Sequence, residues 1–232
     1  MANKKHIIAV LLFSIVLVIA LAWWMDFRDT ERPSEILLEG ESSLQGPLAP
    51  EELSLANPAV TNTMNRSAII TTNKGIITLE LFEDQMPITT GNFIKLAEEG
   101  FYNNTKFHRV IDGFMIQGGD PNSAGEDALS YGTGGPGYTI QDEFVEGELL
   151  SNTRGTIAMA NTGQPNSGGS QFFINTADNM ALDFNKEPFT SRHPVFGRVV
   201  SGLDVVDTIS KVQTGVRDVP VDPVIITSIV IQ

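Results

Sequence analysis

The stretch Phe107-His-Arg-Val-Ile-Asp-Gly-Phe-Met-Ile-Gln-Gly-Gly-Asp120 places Arg109 close to Phe114, Met115 and Gln117. A guanidinium keeps its charge near neutral pH and offers five donors, so the chemistry it suggests is electrostatic rather than nucleophilic. Read alone, the stretch is equally a buried strand with a surface arginine and a Gly-Gly turn. Two further clusters add weight: Met159-Ala-Asn161 followed by Gln171-Phe-Phe-Ile174, and His193-Pro-Val-Phe-Gly197. Other chemistries fall away. The chain has no cysteine, which removes thiol catalysis and disulfides. Three histidines, His6, His108 and His193, are too scattered for a zinc site. No Gly-x-Ser-x-Gly elbow occurs. Gly132-Thr-Gly-Gly-Pro-Gly137 has the spacing of a dinucleotide fingerprint, but no strand precedes it and Pro136 interrupts it, so it reads as a loop.

Elements able to position these residues are legible on both sides. Ala68–Thr72 and Gly75–Phe82 are β-branched and meet at Asn73-Lys74-Gly75, a hairpin signal. Pro87 suits the first turn of a helix carrying Phe93, Ile94, Leu96 and Ala97 and ending at Gly100. Short strands are predicted at Phe114–Gln117, Gly155–Ala160, Gln171–Asn175 and Val195–Val200. Gly202–Val212 shows a second helical pattern, and Val224–Ile231 a closing strand. Many short strands with two helices point to a mainly β domain, a closed or sandwiched sheet capped by helices. That domain occupies residues 67–232 and holds ten basic and twenty acidic residues without a Lys/Arg cluster, which argues against a nucleic-acid partner.

Upstream, Ile7 to Met25 is an apolar run broken only by Ser14. At about 1.5 Å per residue it would make roughly 28 Å of helix, near the bilayer's hydrocarbon thickness. Lys4 and Lys5 precede it and Trp23 and Trp24 close it, so residues 1–25 read as a signal-anchor with the N-terminus in the cytoplasm and the rest outside. Ala20-Leu-Ala22 also fits a cleavage site, and secretion after cleavage near Ala22 is the competing reading. Residues 26–66, with four scattered prolines, three basic and eight acidic residues, read as a flexible acidic stalk.

Phe107-His-Arg, Gly118-Gly-Asp, Gly132-Thr-Gly-Gly, Met159-Ala-Asn and Ser170-Gln-Phe-Phe, in that order between Ala68 and Ile231, resemble the cyclophilin family of peptidyl-prolyl cis/trans isomerases. Pro121, Pro136-Gly-Tyr138 and Asp142-Glu-Phe144 look like its microbial branch. The resemblance implies a closed eight-stranded antiparallel β-barrel capped by two α-helices. It implies Arg109 as the catalytic residue and Phe114, Met115, Phe173 and Leu182 as the proline pocket. Gln117, Ala160, Asn161, Gln171 and His193 would complete the peptide groove, Asn161 through its main chain. No cofactor or metal is implied. The expected partners are proline-containing client polypeptides and the membrane, with the protein a monomer. Two departures stand out. Ala181 lies where many members carry a groove-edge tryptophan, and residues 183–192 hold an insertion whose Phe184 or Phe189 could fold back to refill that gap. They leave one alternative open, a tethered scaffold that binds proline peptides without turnover.

Overall fold

A computed structural model of the chain describes residues 65–187 and 192–232. The 1–25 segment and nearly all of the stalk lie outside them, as does Phe189; among the described residues no helix is long and apolar enough to cross a membrane.

β1 (Ser67–Thr72) and β2 (Gly75–Leu81) form the expected hairpin, in register from Ser67↔Glu80 to Thr72↔Gly75. The hydroxyl of Thr72 closes the turn, accepting from the Lys74 N–H at 3.0 Å and donating to the Gly75 carbonyl at 2.8 Å. Period-two alternation sends Ala68, Ile70, Ile77, Leu79 and Leu81 to the interior, where all five are fully buried. The remaining strands are β3 (Thr105–Lys106), β4 (Arg109–Ile111), β5 (Met115–Gly118), β6 (Thr156–Met159), β7 (Phe172–Asn175), β8 (Val195–Ser201) and β9 (Ile225–Ile231). All pair antiparallel in one sheet of order β3-β9-β1-β2-β8-β6-β7-β5-β4.

This corrects the expectation of eight strands in a closed barrel. Among the described residues nine strands form, and no ladder joins the two ends of the order. The cause is the stretch 105–111, which breaks at Phe107 and His108 into two pieces: β3 pairs with β9, and β4 pairs with β5. Those two residues carry the chain from one edge of the sheet to the other. Extended chain spans at most about 3.6 Å per residue, so the sheet has to curl until its edges lie close together.

Helix α1 (Pro87–Glu98) begins with Pro at its first turn and buries Phe93, Ile94, Leu96 and Ala97. No side chain of its own caps it. Glu143 does so from a distant loop, its carboxylate accepting from the Ile88 N–H at 3.0 Å and the Thr89 N–H at 2.8 Å. A carboxylate suits the positive end of a helix. Helix α2 (Leu203–Ser210) buries Val206 and Ile209. Phe93 sits at the centre of an aromatic core, with ring centroids 5.3 Å from Tyr102 and Phe196 and 5.6 Å from Phe172.

Candidate functional site

Register decides which side chains share a face. Val110, Ile116, Ile174 and Ile157 align across β4, β5, β7 and β6, and each is at most 2% exposed, so this set faces the core. The alternate set faces away from it: Arg109 opposite Gln117, Gln117 opposite Phe173, and Met115 two residues before Gln117. The sheet therefore places a cation, an amide, an aromatic ring and a thioether together on its outer face.

That face is covered at one end. Met115 and Phe173 are 2% and 4% exposed, forming a floor, while Phe114, Leu182 and His193 are half-buried at its margin. The His193 ring meets the Phe173 ring edge-on at 5.3 Å, and its Nδ1 lies 3.1 Å from the Met159 carbonyl. Burial lowers the His193 pKa below its ordinary 6.5, partly offset by that carbonyl. Burial thus favours the neutral ring.

Beneath the margin runs a buried relay of polar side chains. Asp183 accepts from the Ser151 hydroxyl at 2.6 Å, the Asn152 N–H at 2.7 Å and the Asn152 amide at 2.9 Å. The Asn152 amide also donates to the His193 carbonyl at 3.0 Å. Asn175 donates to the Asn152 side-chain oxygen at 3.1 Å and accepts from Asn179 at 2.7 Å. Asn179 in turn donates to the Phe114 carbonyl at 2.8 Å. Leu182 joins through its own neighbours: its carbonyl accepts from the His193 N–H at 3.0 Å, and Asp183 follows it in the chain. One connected network thus fixes the backbone of all three margin residues.

The other end is open. Arg109 is 43% exposed on its side chain, and among the described residues its only side-chain hydrogen bond runs from Nε to Asp218 at 3.4 Å, leaving both Nη groups available as donors. Gln117 does not hold the arginine; its amide donates to Gln171 at 3.0 Å, whose own amide donates to the Gly134 carbonyl at 2.8 Å. Gly134 is pressed against the Asp120 carboxylate, where a Cβ would collide, so the glycine-rich loop lies tight along the groove. Ala160 gives its N–H to the Gln171 carbonyl at 2.9 Å. The Asn161 side chain is occupied at both ends, by the Arg192 carbonyl at 2.6 Å and the Gly163 N–H at 3.0 Å. Its main-chain N–H and carbonyl make no hydrogen bond among the described residues, which suits a residue that binds substrate through its backbone.

A cleft of about 390 Å³ runs beside Arg109, Gln117, Asn161 and Asp218, and a second of about 290 Å³ beside Gln117, Ala160, Asn161 and Gln171. Of the expected site residues, Arg109, Gln117, Ala160, Asn161 and Gln171 line these two clefts, whereas Phe114, Met115, Phe173, Leu182 and His193 line neither. Ala181 is exposed, and Phe184 stacks on Phe144 with ring centroids 5.3 Å apart and an interplanar angle of 16°. Sequence reasoning missed Asp218 and the Asn152–Asn175–Asn179–Asp183 relay. Both are long-range pairings with no local pattern to announce them.

A family model described as "Cyclophilin type peptidyl-prolyl cis-trans isomerase/CLD" matches residues 67–231. Peptidyl-prolyl cis-trans isomerase A of Dickeya dadantii is 42% identical over 180 residues, covering 76% of this chain and 90% of that protein. Peptidyl-prolyl cis-trans isomerase B of Escherichia coli is 46% identical over 165 residues, 69% of this chain and 96% of that protein. A crystal structure of a Cryptosporidium parvum cyclophilin-type isomerase, determined in the presence of the dipeptide Ala-Pro, superposes with TM-score 0.60 at 33% identity, covering 72% of this chain and 98% of that one.

Proposed function

The chain belongs to the cyclophilin-type peptidyl-prolyl cis-trans isomerases and catalyses rotation about X–Pro bonds, and we propose that Arg109 carries that reaction over a slot floored by Met115 and Phe173. The barrier comes from amide resonance and is about 18–20 kcal/mol. Uncatalysed exchange takes tens to hundreds of seconds. Reaching on the order of a thousand turnovers per second requires about 7 kcal/mol of stabilisation specific to the transition state. No covalent intermediate is needed, which fits a groove without a nucleophile–base pair.

Halfway through rotation the prolyl nitrogen turns pyramidal and regains a lone pair. The free Nη donors of Arg109 supply hydrogen bonds to that localised charge, and a seated substrate excludes water and strengthens them. Phe114, Leu182 and His193 hold the ring still from the margin while the preceding carbonyl swings. Ala160, Asn161 and Gln171 line the adjoining cleft and receive the flanking backbone. The observation that carries this reading is the shared outer face of Arg109, Gln117, Phe173 and Met115. Arg109→Ala is expected to lower kcat/KM on a proline tetrapeptide by at least an order of magnitude, the figure 1.36 kcal/mol would give, with an unchanged circular dichroism spectrum. Near-wild-type turnover in that variant refutes the assignment.

We further propose that the enzyme is a monomer of the microbial branch, held by residues 1–25 at a membrane with its catalytic domain outside the cytoplasm. There it would speed the folding of exported clients, whose slow prolyl steps otherwise limit maturation. Support comes from the apolar run Ile7–Met25 with its flanking lysines and from the likeness to bacterial relatives. Protease added to intact spheroplasts should remove the domain from the membrane fraction. Full protection, or recovery in the cytosol, ends the proposal, and the mass of the mature N-terminus separates anchor from cleaved leader.

A further inference from the structure

The groove does not stop at Arg109. Where its cleft reaches His108, Tyr131 and Val219, a second cleft of about 210 Å³ begins, sharing those three residues. Its other walls include Ala128, Pro220, Val221 and Val224. Around it stand Leu129 at 80% exposure, Val216 at 87% and Val221 at 58%. A single exposed apolar side chain needs no explanation. Three at one corner, on a domain with ten basic and twenty acidic residues, beside a cleft continuous with the active groove, do.

The corner is also built in advance. Arg217 clamps its two loops together, donating to the Leu129 carbonyl at 2.9 Å and the Tyr131 carbonyl at 2.8 Å. Arg217 and Asp218 both hold left-handed backbone, with φ of 61° and 59°. Residues bearing side chains keep that conformation only where their surroundings fix it, and such places cluster at ligand clamps. Here one turn does three things: it aims Asp218 at Arg109, fastens Arg217 to the 128–131 loop, and leaves Val216 in solvent. His108, between the clefts, is 3% exposed and burial lowers its pKa, while Lys106 and Glu126 stand among the apolar residues of the second cleft.

We propose that the corner formed by residues 128–131 and 216–221 is a second contact surface for the client polypeptide, taking an apolar side chain a few residues from the proline. The proposal rests on Arg109 marking the reacting bond and extends that reading to the rest of the client. A chain held at Arg109 has to leave the site along the clefts that meet there. One way leads past Asn161, and the other crosses this corner. Unfolded polypeptides carry the apolar side chains that the second path would receive.

Full-length protein is assayed on a proline tetrapeptide and on longer peptides carrying leucine or serine at each successive position on either side of the proline. At one such position leucine should lower KM on the order of tenfold relative to serine, as burial of one leucine would give. The paired substitution Val216→Ser with Val221→Ser should abolish that gain while leaving tetrapeptide kcat/KM unchanged. In the same titration the backbone amide resonances of Val219 and Val221 should shift with the leucine peptide and not with the tetrapeptide. Equal KM for leucine and serine at every position, or a gain that survives the paired substitution, overturns the proposal. A tetrapeptide that is not turned over at all instead overturns the reading of Arg109 on which it stands.

Discussion

Phe114, Leu182 and His193 stand on a buried relay of asparagine and aspartate side chains, whereas Arg109, on the same face of the sheet, stands half in solvent with one ion pair at 3.4 Å. On the proposed reading the slot has to present one fixed shape to a ring that must not turn, and satisfied buried hydrogen bonds would supply that rigidity. On the same reading the cation has to follow an oxygen and a nitrogen whose charges shift during rotation. A long side chain on a weak surface pair can do so. Exposure also means that the incoming substrate, not the fold, removes water from Arg109. The same groove thus holds its shape at one end and its adaptability at the other.

The contrast can be broken experimentally. The largest effect is expected from Arg109→Lys, which keeps the charge but loses the fork of donors. It should lower kcat/KM by at least about tenfold, roughly 1.4 kcal/mol, with KM and melting temperature little changed. Full activity in the lysine variant would mean that charge alone suffices.

Asn152→Ala should act in the opposite sense, on shape. It removes three side-chain hydrogen bonds, to Asp183, to the His193 carbonyl and from Asn175, while Asp183 keeps the Ser151 hydroxyl and Asn175 keeps Thr156; each lost bond costs about 0.5–1.5 kcal/mol. At roughly 2–4 °C per kcal/mol the melting temperature falls by several degrees, and KM rises more than kcat falls. A variant with native stability and native KM would show that the relay does not hold the slot.

A smaller effect is expected from pH. His108 and His193 both have folded-state pKa values lowered by burial below the ordinary 6.5. Between those lowered values and 6.5 the unfolded chain binds more protons, so stability is full above pH 6.5 and declines as pH falls through that window. His193→Gln should flatten part of the decline in thermal melts. Activity should stay level from pH 7 to 9, since no group in the proposed mechanism gains or loses a proton. A bell-shaped kcat/KM profile would contradict that.

The smallest effect is expected from Asp218→Asn. The pair is 43% and 46% exposed on its two side chains, and exposed pairs contribute about 0–1 kcal/mol. Activity should change within about fivefold, and the difference should vanish near molar salt, where the screening length is about 3 Å.

Much of this was legible in the sequence, for physical reasons that also explain the gaps. The hairpin, both helices and the strands around Gln117, Ile157, Ile174 and Phe196 follow local periodicity. Each was read within a few residues of its observed span. β3 and β4 escaped because two and three residues are too short to show alternation, and with them went the count of strands and the closure of the barrel. Arg109 and its neighbours could be proposed from sequence because their motifs are contiguous and resemble a known family. Glu143 as the cap of α1, 54 residues from Thr89, was not. Nor was Asp218, 109 residues from Arg109, since only the folded sheet brings such partners together.

The break at Phe107 and His108 has one more consequence. Among the described residues the two strands that end the sheet are two and three residues long, and the Lys106 N–H is taken by the Ser123 hydroxyl at 2.9 Å. Long flat margins invite foreign strands to add on, the first step toward aggregation. An enzyme whose clients arrive extended and unfolded, as proposed, would meet such strands constantly. Its sheet offers them almost nothing to copy.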